Sequence, residues 1–215
     1  MASLNAGKAV FTEKPLGSGL EEIDTCFQLA REKRLPLFVG FNRRFDPSHS
    51  SLAQSVRGGE IGALQLVRIT SRDSPLPRMD YIKTSGGIFH DCIVHDLDMI
   101  RFISQEDPIE VYSVGSNFIP EIQAFDDLDN VLVSLRFASG LLASIDVNRF
   151  ASYGYDQRIE AFGEKGMLHS ENRYPLSTVL SSEAGVSRPP IEFSFPSRYR
   201  EAYHCELETF RKCVV

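Results

Sequence analysis

The first forty-one residues alternate between helical and strand patterns, and this alternation constrains the fold more than any other feature of the chain. Residues 2–6 have the pattern of a last helical turn that ends at Gly7, and Lys8–Thr12 has that of a short strand. The apolar run Leu35–Gly40 is predicted to be a buried strand. Before it, a helix is predicted from apolar residues three and four apart, namely Leu20, Ile23, Phe27 and Ala30. Strands that alternate with helices predict an α/β fold with the end of a doubly wound parallel sheet.

The chain changes character after a polar junction at Asn42–Pro47. Residues 47–215 are predicted to form an α+β domain with a large, mostly antiparallel open sheet. Its clearest element is a hairpin of strands 129–137 and 141–149. The other elements predicted here are helices over 47–60, 87–104 and 198–213, strands over 64–71 and 109–115, a hairpin over 158–170, and loops over 73–86 and 172–196.

Composition excludes several classes of protein. The chain has 23 basic and 29 acidic residues and a net charge of −6, which argues against nucleic-acid binding because such binding depends on Lys and Arg. No apolar run reaches the roughly 18 residues of a membrane helix, and the N-terminus lacks a signal-peptide pattern. None of the four cysteines forms a C-x-x-C pair, so a reducing, cytoplasmic setting without a structural zinc ion is predicted.

The segment from Gly86 to Asp98 carries the strongest chemical signal. On a helix, Asp91, His95 and Asp98 share one polar stripe, because His95 and Asp98 follow Asp91 by four and seven residues. A carboxylate one turn before an imidazole can orient that imidazole and tune its pKa, as a general base requires. Two other interpretations remain open: a solvated ion pair on an exposed face, or a metal site that also uses His90.

Two further segments could contact a small ligand. Lys14 follows a predicted strand and precedes Pro15, and the carboxyl ends of strands in open α/β sheets face the ligand crevice. A lysine there could hold a substrate hydroxyl, or it could be an ordinary surface residue in a turn. The segment Tyr153–Asp156 combines aromatic and hydrogen-bonding groups, which suit a sugar-like ligand as well as a packed loop.

These motifs, taken in order along the chain, resemble the Gfo/Idh/MocA family of nicotinamide-dependent oxidoreductases. The resemblance covers nearly the whole chain and includes the D-x-x-x-H-x-x-D pattern of Asp91, His95 and Asp98. The other matching segments are Ala6–Pro15 (AGKAVFTEKP), Gly40–Pro47 (GFNRRFDP), Gly86-Gly87, Tyr153–Arg158 (YGYDQR) and Phe162–Gly166 (FGEKG).

The resemblance implies an enzyme that oxidises a secondary alcohol of a polyol or sugar, with myo-inositol converted to scyllo-inosose. It implies a Rossmann domain for NAD, with NADP also possible, whose last part is residues 1–46. It also implies that residues 47–215 bind the substrate and form a homo-oligomer through the sheet.

The resemblance also assigns roles to individual residues. Lys14, Asp91 and His95 would be catalytic, with His95 as the general base that takes the hydroxyl proton. The cofactor side would be formed by Glu13, Lys14, Pro15, Asn42 and Arg43. The substrate side would be formed by Lys14, Arg43, Asp91, His95 and Tyr155.

The chain departs from the family pattern in one respect. No G-x-G-x-x-G motif occurs anywhere in it, although the backbone N–H groups of that turn bind the pyrophosphate of a dinucleotide. We therefore expect a sequence shortened at its N-terminus, and also after its last helix, that binds NAD weakly or not at all by itself. A non-catalytic shortened isoform and a sugar-binding or oligomerisation module are the alternatives.

Overall fold

The computed structural model describes residues 1–214 and divides the chain into two compact units. The first unit contains Met1–Pro47 together with the last helix from Glu201 onward, and the second contains Ser48–Arg200. The helices are α1 (Ala2–Asn5), α2 (Leu20–Lys33), α3 (Pro47–Arg57), α4 (Met79–Ile82), α5 (Val94–Ser104), α6 (Pro120–Gln123), α7 (Phe195–Arg198) and α8 (Arg200–Val214). The strands are β1 (Val10–Glu13), β2 (Leu37–Gly40), β3 (Leu64–Arg72), β4 (Pro108–Ser116), β5 (Asn130–Phe137), β6 (Leu142–Asn148), β7 (Asp156–Gly163), β8 (Gly166–Ser170), β9 (Leu180–Ser182) and β10 (Gly185–Ser187).

In the first unit, strands β1 and β2 form a parallel pair connected by helix α2, as the alternation of patterns predicts. Their aromatic side chains form a cluster that also contains a residue of the last helix. The ring centroid of Phe11 lies 5.6 Å from that of Phe38 and 5.8 Å from that of Phe210. The Phe38 and Phe210 rings are 6.0 Å apart. Helix α8 is therefore part of the core of this unit.

The second unit contains a six-stranded sheet in the order β4-β5-β6-β3-β7-β8 within the described residues. Strands β3 and β6 run parallel, and the other neighbouring pairs are antiparallel. The predicted mostly antiparallel sheet and both predicted hairpins are thereby confirmed. Because β3 and β6 are parallel while β7 runs against β3, the ends of β3 and β6 and the start of β7 lie at one edge of the sheet.

One face of this sheet packs against helices to form the hydrophobic core. Strand residues alternate between this buried face and an exposed face, as half-buried strands do. On β5 the buried positions are Val131, Val133, Leu135 and Phe137, and on β6 they are Ala143, Ile145 and Val147. Helix α5 contributes Met99, Ile100 and Ile103 to the same core. Burial of this continuous apolar face is the main stabilising contribution to the unit.

The structure differs from the sequence-based prediction in several places. The segment predicted as one helix from Gly87 begins with a π-helical turn, Phe89–Ile93, before α5. The predicted loop over 73–86 contains the single turn α4, and that over 172–196 contains the short β9–β10 hairpin.

Among residues 1–214, none of the helices has the length and apolar character that crossing a bilayer requires.

Candidate active site

In the first unit, the predicted cofactor-side residues lie at one edge of the parallel pair. Strand β1 ends at Glu13, which is opposite Gly40 at the end of β2. Lys14 and Pro15 follow β1 directly, and Asn42 and Arg43 follow β2 in a single 3-10 turn, Asn42–Phe45. The carboxyl ends of adjacent parallel strands are where open α/β sheets bind ligands. The structure thus brings these predicted residues to the same edge.

The side chain of Asn42 has an unusual environment. It is 4% exposed, and within residues 1–214 its buried Oδ1 atom has no hydrogen-bond partner. A buried acceptor of this kind costs free energy unless a ligand or water supplies a donor. Asn42 therefore fits a ligand that carries N–H groups, such as a carboxamide. Arg43 is also buried, at 6% exposure.

A second acidic residue accompanies Glu13 in this unit. Glu206 on helix α8 is completely buried, and the Glu13 carboxyl is its ionisable neighbour. Burial, together with the negative charge of Glu13, raises the pKa of Glu206 to about 8. Partial burial raises the pKa of Glu13 as well. Two carboxyl groups that share a site titrate as a pair, so this pair retains a proton near neutral pH.

In the second unit, two glycines shape the entry into the helical segment that carries Asp91. Gly86 and Gly87 have φ values of +83° and +86°, in the left-handed region that favours glycine. A Cβ on Gly87 would lie 3.2 Å from Oδ1 of Asp127, and the same oxygen accepts a 2.8 Å hydrogen bond from the Ile88 N–H. The glycines therefore allow Asp127 to approach the start of this segment closely.

The carboxylate of Asp91 lies in the π-helical turn and is held on both oxygens. Oδ2 accepts a hydrogen bond of 2.6 Å from the Arg149 guanidinium, and Oδ1 accepts one of 2.7 Å from the Tyr81 hydroxyl. Burial, and then the bond to Asp91, raise the pKa of the Tyr81 hydroxyl, so Tyr81 remains a donor at neutral pH. π-Helical turns occur preferentially at functional sites, and here the turn presents the predicted carboxylate.

His95 and its neighbours occupy the first turns of α5. His95 is half-buried, and Asp98 is buried, so the segment is not the exposed polar face that a solvated ion pair requires. His90 is exposed. Within the described residues 1–214, no group of three or more His, Cys, Asp or Glu side chains is arranged to hold a metal ion.

Tyr155 precedes β7 at the sheet edge that also carries Arg149, the residue after β6. It is buried, and its ring packs edge-to-face on Tyr199 with 5.8 Å between centroids. The neighbouring Tyr153 hydroxyl donates a 2.6 Å hydrogen bond to Asp156. The structure thus places Tyr155 in an aromatic packing arrangement at this edge of the sheet, and its role in substrate binding stays a prediction.

Sequence reasoning did not single out Arg149, Tyr81 or Asp127, although all three surround Asp91 or its partner. A signal for Arg149 was available. It continues the alternation of Ala143, Ile145 and Val147 on the buried face of the sheet. A charged residue at a core-facing strand position requires an acidic partner. No comparable local pattern indicates Tyr81 or Asp127, because their contacts depend on loop conformation.

Comparison with known proteins identifies the family of the chain. The GFO/IDH/MocA C-terminal domain matches residues 49–169, and the oxidoreductase family with an NAD-binding Rossmann fold matches residues 1–41. The chain belongs to the Gfo/Idh/MocA family of oxidoreductases. An inositol 2-dehydrogenase of Rhizobium meliloti is 44% identical over 206 residues, which is 95% of this chain and 62% of that protein.

Solved structures show the same fold. The crystal structure of a probable dehydrogenase from Thermotoga maritima superposes with a TM-score of 0.96 at 44% identity, and the match covers 99% of this chain and 65% of that one. A scyllo-inositol dehydrogenase from Lactobacillus casei, solved with bound NAD(H) and scyllo-inositol, has a TM-score of 0.90 at 31% identity, over 99% of this chain and 65% of that one. The chain thus spans somewhat less than two thirds of the length of these relatives.

Proposed function

We propose that this chain is part of an NAD-dependent dehydrogenase that oxidises a secondary alcohol of a polyol, with myo-inositol as the substrate and scyllo-inosose as the product. Its similarity to an inositol 2-dehydrogenase and to a scyllo-inositol dehydrogenase supports the reaction and the substrate class. The observation that carries the proposal is the Asp91 carboxylate, fixed by Arg149 and Tyr81 one turn before His95.

The proposed chemistry divides between a proton and a hydride. Lys14 donates a hydrogen bond to the reacting hydroxyl, and Asp91 accepts one from a substrate hydroxyl. His95 accepts the hydroxyl proton on its imidazole, and a hydride leaves the carbon that bears this hydroxyl. The secondary alcohol thereby becomes a ketone. When bound, the oxidised nicotinamide ring supplies the hydride acceptor. Arg43 and Tyr155 are assigned to the substrate side.

The residues at the end of β1 and β2 fit the nicotinamide end of such a cofactor. The buried Oδ1 of Asn42 needs a donor, and a carboxamide N–H provides one. Glu13, Lys14, Pro15 and Arg43 would line the same edge. A dinucleotide also needs N–H groups for its pyrophosphate, which a glycine-rich turn normally supplies. The proposal therefore concerns the whole protein that carries this chain.

The test uses the native protein isolated from its source, after its intact mass has been measured. We expect reduction of NAD with myo-inositol, followed by absorbance of the reduced nicotinamide, and little reduction with a polyol of different ring geometry. If the folded protein fails to reduce NAD with every polyol tested, the proposed dehydrogenase activity is excluded. A native mass near 24.1 kDa without activity would instead support the non-catalytic isoform or the binding module.

We also propose that the protein is a cytoplasmic homo-oligomer that pairs through the exposed face of the six-stranded sheet. Leu142, Leu66, Phe162 and Met167 are consecutive partners across β6, β3, β7 and β8, so they form one apolar row on that face. Three of these side chains are about half exposed, namely Leu142, Phe162 and Met167. Exposed apolar rows of this kind support protein association. Four free cysteines support a reducing compartment.

The oligomer predicts a specific effect of Phe162→Glu. A buried, unpaired carboxylate at a contact between copies would shift the native mass, measured by sedimentation, toward the monomer. Leu20→Glu, on the exposed start of α2, places the same charge at an exposed leucine outside the sheet and is the control. A wild-type protein that sediments as a monomer at micromolar concentration would contradict the proposed interface.

A further inference from the structure

Arg149 is a charged residue at a position where the neighbouring strand residues of the same face are apolar and buried. It follows β6 and continues its buried face, and its side chain is 0% exposed. A fully buried guanidinium is unfavourable unless its charge is compensated and its N–H groups have acceptors. The groups that compensate the charge of Arg149 therefore indicate its role.

Two carboxylates from different segments share this guanidinium. One terminal nitrogen is 2.6 Å from Oδ2 of Asp91, and the other is 3.0 Å from Oδ2 of Asp127. The Cys92 sulfur and the Ser85 hydroxyl complete the surroundings, each 3.4 Å from a guanidinium nitrogen. Burial alone would lower the pKa of Arg149, but Cys92, Asp91 and Asp127 more than offset this and raise it. Arg149 is thus always charged.

The contacts leave Asp91 little freedom. Arg149 binds one oxygen and Tyr81 binds the other, and the side chain of Asp91 is only 11% exposed. A carboxylate with donors on both oxygens keeps its orientation and has strong acceptors but no proton to give. In the reaction proposed above, Asp91 would therefore act as a hydrogen-bond acceptor for a substrate hydroxyl, and the proton would go to His95.

We propose that Arg149 is a positioning residue of the dehydrogenase: its buried guanidinium keeps Asp91 ionised and oriented toward the substrate, with Asp127 as the counter-charge that anchors the guanidinium. The inference rests on the proposed function, because it assigns Asp91 to the substrate. The ionisable groups that face Arg149 are Asp91 and Cys92 of the π-helical turn and Asp127 of the loop between α6 and β5. Tyr81 binds the other oxygen of Asp91.

Three substitutions in the complete protein separate charge from geometry. Arg149→Met removes a positive charge, so the acid limb of the pH profile of kcat/KM should move to higher pH, with a loss of about 100-fold at neutral pH. Asp127→Asn removes a negative charge but keeps an acceptor for the Ile88 N–H, so the limb should move to lower pH. Arg149→Lys retains the charge without the planar fork, so the limb should stay while kcat/KM falls about tenfold.

Arg101→Met is the matched control, because Arg101 lies on the same helix as His95 and forms an exposed ion pair with Asp107. This substitution should change neither the acid limb of the pH profile nor kcat/KM. If Arg149 only stabilised the fold, the variants would lose thermal stability without shifts of opposite sign in the pH profile. That outcome, or a folded Arg149→Met with an unchanged profile, would overturn the inference. If Arg149→Met does not fold, the Asp127→Asn and Arg149→Lys profiles decide.

A carboxyl titration keeps this inference distinguishable from the proposed function. Carbon-13 NMR of labelled aspartates reports the ionisation of Asp91 without any substrate or activity. If the wild type oxidises no polyol, the proposed function fails. The inference about Arg149 is then tested by whether replacing Arg149 moves the titration of Asp91 to higher pH. An unchanged titration would refute the inference that Arg149 keeps Asp91 ionised.

Discussion

Replacing His95 with asparagine should lower kcat for polyol oxidation by a factor on the order of 10² to 10⁴, the range that a positioned general base contributes. Asparagine keeps a polar side chain of similar size but cannot take the hydroxyl proton. The loss should be largest near neutral pH and smaller at high pH, where hydroxide replaces part of the base. KM should change much less than kcat, because the proton moves only in the chemical step.

The control is His90→Asn, five residues earlier on the same helical segment. His90 is exposed, so its replacement should leave kcat within about twofold of the wild type. Steady-state NAD reduction with myo-inositol across the pH range makes the comparison. If the His95→Asn protein retained most of its kcat at neutral pH, the general base would have to be another group.

The second large effect concerns Glu206, whose buried carboxyl should make stability depend on pH. Its pKa is about 8 in the folded protein, whereas an ordinary glutamate has a pKa of 4.5. Between these values the folded state binds more protons than the unfolded state, so the free energy of unfolding falls as pH rises. The contribution is fully present below about pH 4.5 and is lost as pH rises through about pH 8, with a slope on the order of 1.4 kcal/mol per pH unit.

Glu206→Gln should remove this slope, because glutamine resembles the protonated acid at every pH. At about pH 5 the variant and the wild type should unfold at similar temperatures, and at about pH 9 the variant should be the more stable one. Glu208→Gln, on the same helix but only partly buried and paired with Arg211, should leave the slope unchanged. Thermal unfolding followed by circular dichroism checks this, and equal slopes in the wild type and Glu206→Gln would contradict the assignment.

Much of the fold was predictable because its elements carry strong local patterns. The parallel pair β1–β2, the β5–β6 hairpin and the mostly antiparallel sheet all follow from apolar periodicity and turn residues. The π-helical turn at Phe89–Ile93 was not predictable in this way, because an apolar pattern does not distinguish it from an α-helical turn. The position of helix α8 in the first unit was not predictable either, because it depends on contacts between residues far apart in the chain.

The candidate site shows the same division. Asp91, His95 and Lys14 could be singled out because their spacing and neighbours suggest chemistry and resemble a known family. Three other segments supply Tyr81 and Arg149, which bind Asp91, and Asp127, which binds Arg149. Their convergence is a property of the folded chain. Glu206 has a regular helical pattern around it, and only the packing of α8 shows that its carboxyl is buried beside Glu13.

The first unit is assembled from both ends of the described chain, whereas the second is one continuous segment. A ribosome therefore releases every residue of Ser48–Arg200 before it releases Phe210 of the aromatic cluster. Since domains generally fold as units during synthesis, the second unit can form its sheet while the first still exposes Phe11 and Phe38. During that interval β1 and β2 lack the apolar cover that Phe210 of α8 supplies, so Phe11 and Phe38 remain available for aggregation or for a chaperone until α8 emerges.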